Sequence, residues 1–244
     1  QYDEVMDLKS TYDKLSDVQK ALVTNYNKLT EAIDNINAME GQDPAYIRDL
    51  SVNEINPILT ASSKLYKDET TGVKLTGRLQ LNNNKGTDGE DVFNSVFAGK
   101  NEFTVEAWVN PTRTDMTYDM IMGKGDSNFG LRSRGGSNGS ISLDFFIKAT
   151  DGKWYTIEKS INVGDDWVGN WQQITATYTG SQLKLYLNGE LLATSNDSST
   201  GGLATNNQSL WLGYCPETGR TSSYEIGAAR VYNRALTDTE VKAQ

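Results

Sequence analysis

The chain has 244 residues, 37% of them hydrophobic, with a formal net charge of −9 and no histidine. That length supports one large core plus a small accessory unit, and the acidic balance opposes nucleic acid and anionic membrane as partners. The lack of histidine removes Ser-His and Cys-His catalysis and histidine-ligated zinc together.

The sequence has no apolar run of transmembrane length, and Gln1 opens into a helical pattern with no signal peptide before it. It therefore reads as a fragment of a longer protein, monomeric within that chain and without membrane insertion. The lone Cys215, beside Pro216, has no partner for an internal disulfide and reads as a half-buried packing thiol.

In chain order, the first 41 residues are helical. Leu8, Tyr12, Leu15, Leu22, Tyr26, Leu29, Ile33 and Ile36 step by three and four, a single stripe broken only at Gln19. Ser16 stands three residues before Gln19, a capping-box spacing, and Thr24-Asn25 offers a second N-cap. Two or three short helices, forming a small bundle over residues 1–41, follow. An intramolecular bundle is favoured over a coiled-coil partner surface, because so short a capped segment packs best on itself.

Gly41-Gln42-Asp43-Pro44 breaks the pattern and marks a domain edge. Residues 42–69 read as a connector with one helix, spaced at Ile47, Leu50 and Ile55 and interrupted at Pro57. From residue 70 the period changes to two. Strands are expected at 73–81, 103–109, 120–122, 129–133, 141–147, 154–158 and 210–212, separated by glycine-rich turns and, at 82–91, by a polar loop. Ile174, Ala176 and Tyr178 alternate before Thr179-Gly180-Ser181, and Leu183, Leu185 and Leu187 alternate after it, closing at Asn188-Gly189. That is a hairpin followed by a second tight turn. Thr237 to Ala243 reads as a short capped helix. Together these elements predict an antiparallel β-sandwich over residues 70–244.

Four blocks extend this into a family resemblance: F-T-V-E-A-W-V-N-P (103–111), the Trp171 to Gly189 hairpin, L-W-L-G (210–213) and A-R-V-Y-N-R-A-L-T-D-T-E-V (229–241). Their order and spacing resemble laminin-G-like, concanavalin-A-like jelly-roll modules. The resemblance implies a mainly β jelly roll, here preceded by a small N-terminal helical bundle. Such a fold serves lectins, carbohydrate-binding modules, protein-binding modules and some hydrolases, so the ligand must be argued from residues. The string from Tyr12 to Leu29 resembles a small helical module of large surface proteins of Gram-positive bacteria, which implies an extracellular, multimodular parent.

Sandwich hydrolases resemble one another in a tight acid cluster on one strand, since retaining chemistry needs two carboxyl groups about 5 to 5.5 Å apart. No predicted strand carries it. Glu102 and Glu106 are roughly 13 Å apart at strand rise, and Asp144 stands alone on its strand. No catalytic residue is therefore assigned, although two carboxylates meeting across strands stays open.

Sugar binding asks for one aromatic face and a few planar hydrogen-bonding partners. Asp126, Asn128, Arg132 and Arg134 supply a polar run, the last three at even spacing opposite Phe129, Leu131 and Ser133. Trp154 and Tyr155 follow the turn at 150–153, Trp167 also adjoins a turn, and Tyr214, Glu217 and Arg220 belong to a long polar loop. The plainer reading stands beside this one: the arginines as a solvated strand face, Glu217 and Arg220 as a loop-ordering pair, and Trp108, Trp171 and Trp211 as packing residues.

Laminin-G-like modules often hold calcium, with an Asp-Glu pair before the last block; here that place reads Gly227-Ala228-Ala229. Asp88 and Asp91, with Glu90, remain as candidates for an oxygen cage, though not at EF-hand spacing. The resemblance thus implies a noncatalytic carbohydrate-binding module of a multimodular bacterial surface or secreted glycoside hydrolase. Its expected ligand is a galactose-containing glycan such as lactose or N-acetyllactosamine. A protein-interaction or adhesion module using the same rim loops is the alternative.

Overall fold

The computed structural model describes residues 8–30 except 10, 21 and 24, then 57–58, 63–68, 72–81, 94, 97, and 99–244 except 136–138, 165 and 196–200. The N-cap expected at Thr24, the helix expected around Ile47 and Leu50, and the loop with Asp88, Glu90 and Asp91 lie outside these residues. The chain divides into two compact units, Gln1–Arg48 and Asp49–Gln244.

In the first unit the capping box forms: Ser16 N–H donates to Gln19 Oε1 at 2.9 Å, and Gln19 N–H to Ser16 Oγ at 3.4 Å. Tyr12 and Tyr26, two members of the apolar stripe, stack with ring centroids 3.8 Å apart. Leu8 and Leu22 of the same stripe are exposed.

The second unit is a sandwich of two seven-stranded antiparallel sheets. One sheet orders β1 (Pro57–Ile58), β4 (Leu79–Leu81), β13 (Leu210–Leu212), β6 (Asp119–Gly123), β7 (Phe129–Gly135), β8 (Ser140–Lys148) and β9 (Trp154–Asn162). The other orders β12 (Glu190–Thr194), β11 (Leu183–Leu187), β10 (Gln172–Tyr178), β5 (Phe103–Pro111), β16 (Tyr224–Tyr232), β3 (Gly72–Gly77) and β2 (Ser63–Asp68). A separate hairpin joins β14 (Tyr214–Cys215) to β15 (Arg220–Thr221) and packs against β6.

Alternation explains the core. Phe103, Val105, Ala107 and Val109 on β5 and Ile174, Ala176 and Tyr178 on β10 face Phe129, Leu131, Leu143 and Phe145 of the opposite sheet, all of them fully buried. Phe103 sits at the centre, with ring centroids 5.5 Å from Phe129, 6.0 Å from Phe145 and 5.9 Å from Tyr178. Tilted aromatic contacts of this kind add to simple area burial.

The expected 171–189 hairpin forms, with Ile174 opposite Leu187 and Tyr178 opposite Leu183. Asn188 and Gly189 then turn the chain with φ of 51° and 79°, as a two-residue hairpin turn requires. The C-terminal helix, Asp238–Lys242, carries the full capping box between Thr237 and Glu240. Thr104 Oγ1 ties the preceding segment down, donating to Arg234 O and accepting from Leu236 N–H, both at 2.9 Å.

Three strand expectations are corrected. The strand expected at 73–81 is two, because Gly77 (φ 88°) turns the chain out of one sheet and Leu79 enters the other. At that crossing a Cβ on Gly213, itself at φ 70°, would overlap the Gly77 carbonyl oxygen. Residues 57–58 and 63–68, expected as connector, are strands of the two sheets and precede residue 70. Finally the strand expected at 120–122 runs from Asp119 to Gly123 and is buried along its whole length, with the β14–β15 hairpin packed against it.

Candidate functional site

The outer face of β7 and β8 carries a charged and aromatic cluster. Antiparallel register sets Arg132 opposite Asp144, and the guanidinium forks onto the carboxylate, Nε to Oδ1 at 3.1 Å and Nη2 to Oδ2 at 3.4 Å. Asp144 is nearly buried; burial raises its carboxyl pKa, and the charge and hydrogen bonds of Arg132 oppose that shift. The Arg132 guanidinium also lies 4.5 Å from the Phe146 ring centroid and 5.1 Å from that of Tyr118, distances at which a cation is attracted to the ring face.

Two neighbours complete a set of three arginines around Tyr118. Arg220, from β15, lies 5.0 Å from that ring and Arg134, from β7, 6.0 Å. Arg134 pairs with Glu158 on β9. Arg220 pairs with Asp126, whose Oδ1 also lies 3.8 Å from Arg132 Nη1. Asp126 belongs to the tight turn between β6 and β7, and its carbonyl accepts the Trp154 indole N–H at 3.0 Å. Trp154 is 57% exposed, with the Lys148 ammonium 4.3 Å from its ring centroid.

Glu217 fastens the hairpin to the same turn. It accepts Ser127 N–H at 3.0 Å and Ser127 Oγ–H at 2.7 Å. A Cβ at Gly125 (φ 81°) would press on the Glu217 carboxylate, so that turn needs glycine for both space and backbone angle.

Of the residues singled out from sequence, the structure brings Asp126, Arg132, Arg134, Trp154, Glu217 and Arg220 together. Glu217 and Arg220, weighed as a pair with each other, instead hold Ser127 and Asp126. The other four lie elsewhere. Asn128 is buried and donates to Ala204 O. Trp167 is 5% exposed despite adjoining a turn. Tyr155 alternates to the opposite face of β9 from Trp154 and donates to Asp151 at 2.7 Å. Tyr214 meets Trp211 edge-on at 5.1 Å, with Arg78 4.5 Å over its ring.

Sequence reading left out Tyr118, Phe146, Lys148 and Glu158. The even positions of β8, Asp144, Phe146 and Lys148, follow from the inward Leu143 and Phe145 and were recoverable by alternation; Tyr118, in an irregular loop, gives no pattern. Asp126, Asp144 and Glu158 each engage an arginine, an arrangement suited to hydrogen bonding more than to proton transfer. Among the described residues no group of three His, Cys, Asp or Glu is placed to hold a metal, and the candidates Asp88 and Asp91 lie outside them.

Residues 83–242 match the family model Laminin_G_3, described as the concanavalin A-like lectin/glucanases superfamily. The chain belongs to that family, and its sandwich is a lectin-like, concanavalin A-like domain. No curated protein matches the sequence. The chain is similar in structure to the binding domain of Paraclostridial Mosquitocidal Protein 1, at 17% identity and TM-score 0.58, covering 82% of this chain and 49% of that one. It is similar to the binding domain of botulinum neurotoxin DC in complex with SialylT, at 14% identity and TM-score 0.58, covering 80% and 47%. It also matches that domain in complex with rat synaptotagmin II, at 15% identity and TM-score 0.55, covering 80% and 47%. The chain thus spans about half the length of these structures, and the likeness is one of fold.

Proposed function

We propose that the sandwich is a noncatalytic carbohydrate-binding module whose site is the Trp154 margin of the outer β7–β9 face. One observation carries the reading: an exposed indole stands beside Asp126, whose carboxylate holds Arg220, with the Lys148 ammonium over its ring. The ring offers an apolar face for the C–H patch of a pyranose, and the planar charged groups match pairs of hydroxyls. Hydrogen bonds already formed within the cluster hold these groups in place, which lowers the ordering cost of binding.

The ligand we assign is a galactose-containing glycan such as lactose or N-acetyllactosamine, a neutral partner suited to a chain of net charge −9. A shallow site of this size binds at about micromolar to millimolar strength. Within a multimodular, secreted or surface-attached bacterial glycoside hydrolase, such weak capture raises the effective concentration of glycan near the catalytic domain. The similar neurotoxin domain in complex with SialylT supports a glycan ligand on this fold.

A protein-binding role is the second reading, favoured by the complex of the similar neurotoxin domain with rat synaptotagmin II. A glycan array followed by calorimetry with lactose separates the two. Heat with lactose that disappears in Trp154→Ala supports the first; capture of a host protein that survives deglycosylation, with no lactose heat, overturns it.

A further inference from the structure

We infer that Lys124 is a tethered cation that positions the turn carrying Asp126, and so shapes the site proposed above, on which reading its effect on binding rests. Lys124 follows the last residue of β6 and is 0% exposed, one of the largest fully buried side chains among the described residues. Burying an ammonium is costly unless each of its N–H bonds finds an acceptor. Here Nζ donates to Asn94 Oδ1, Asn206 O and Asn206 Oδ1, each at 2.8 Å. These are three neutral amide oxygens from two distant segments, converging on one positive charge.

The network runs from that charge to the site. Asn206, fixed by the ammonium, donates its Nδ2 hydrogens to Lys124 O at 2.7 Å and to Ser127 Oγ at 2.8 Å. It also accepts Gln208 N–H at 3.2 Å and, through its carbonyl, Asn94 Nδ2–H at 2.7 Å. Ser127 Oγ passes its own hydrogen to Glu217 on the hairpin. Asp126 sits inside this loop of bonds, one residue from Ser127, and faces Arg220 and Arg132. Lys124 Nζ bonds to Asn94 and Asn206, and Asn206 in turn to Ser127. Lys124 is a positioning residue: the ammonium organises Asn206, Asn206 holds Ser127, and the turn presents Asp126.

Small hard cations and ammonium groups take the same amide oxygens. Removing the side chain while leaving the oxygens in place should therefore create a site that an external alkylammonium can refill. The test uses the full chain with Lys124→Met and Lys124→Ala, read by amide hydrogen exchange, melting and lactose calorimetry. In Lys124→Met, the amides of Ser127 and Gln208 should exchange at least about tenfold faster while those of β10 keep their protection. Lactose affinity should fall about tenfold. In Lys124→Ala, propylammonium should restore protection at those amides and the lactose heat; tetramethylammonium, which has no N–H, should not.

Wild-type exchange at the turn in Lys124→Met overturns the inference. If that variant unfolds, failure of propylammonium to rescue Lys124→Ala overturns it instead. Should the wild-type chain give no lactose heat, the glycan reading fails while the exchange measurements still decide the role of Lys124.

Discussion

A single nitrogen of Arg220, Nη1, lies 3.0 Å from one carboxylate oxygen of Asp126 and 2.9 Å from the other. Both side chains are about a third exposed, so the pair itself contributes little stability, about 0.2–1 kcal/mol. Its weight is geometric, since Asp126 also faces Arg132. Asp126→Ala should lower lactose affinity at least about tenfold while moving Tm by less than about 4 °C; calorimetry and thermal melting check both.

Trp154 separates two contributions. Its indole N–H fixes the Asp126 carbonyl, and its ring stands open. Trp154→Ala should abolish measurable lactose heat with a stability change within about 0.5 kcal/mol. Trp154→Phe keeps an aromatic face without the N–H and should fall between Ala and wild type. Equal affinity in all three would remove the ring from the site.

Thr104 has a purely structural task. Its hydroxyl serves Arg234 O and Leu236 N–H at once. Thr104→Val keeps the shape and leaves a buried N–H without its acceptor, a loss of about 1–3 kcal/mol. Urea denaturation should show it as a lower midpoint with an unchanged slope.

The C-terminal helix should respond to acid through Glu240. Its pKa is lowered from 4.5 to about 2, chiefly by the hydrogen bond from Arg234 and then by the Thr237 cap. Because the folded value lies below the unfolded one, its stabilising effect is present above about pH 4.5 and is lost as pH falls toward about 2. The Glu240 carboxyl shift in an NMR titration should follow that window, and Glu240→Gln should remove the window's contribution to acid sensitivity.

Where local pattern decides structure, the sequence was readable. The 171–189 hairpin has strict alternation and an Asn-Gly turn, and it forms. The 63–68 strand was missed because helical spacing upstream and Pro57 masked a short run with little alternation. Gly77 hid a change of sheet inside what looked like one strand. In the candidate site, alternation put Arg132 and Arg134 on one face, but their carboxylates come from β8 and β9 through register, twelve and twenty-four residues away. Trp167 shows the limit of local reasoning: proximity to a turn says nothing about what folds over the ring.

The abutment of Gly213 on Gly77 has a consequence for anyone recombining this module. At that seam the layers meet backbone to backbone, with no side chain to trim or enlarge, and both residues hold left-handed angles. A graft whose junction falls between residues 77 and 213 must carry both glycines together. Splicing a foreign crossover against either one alone wedges the layers apart.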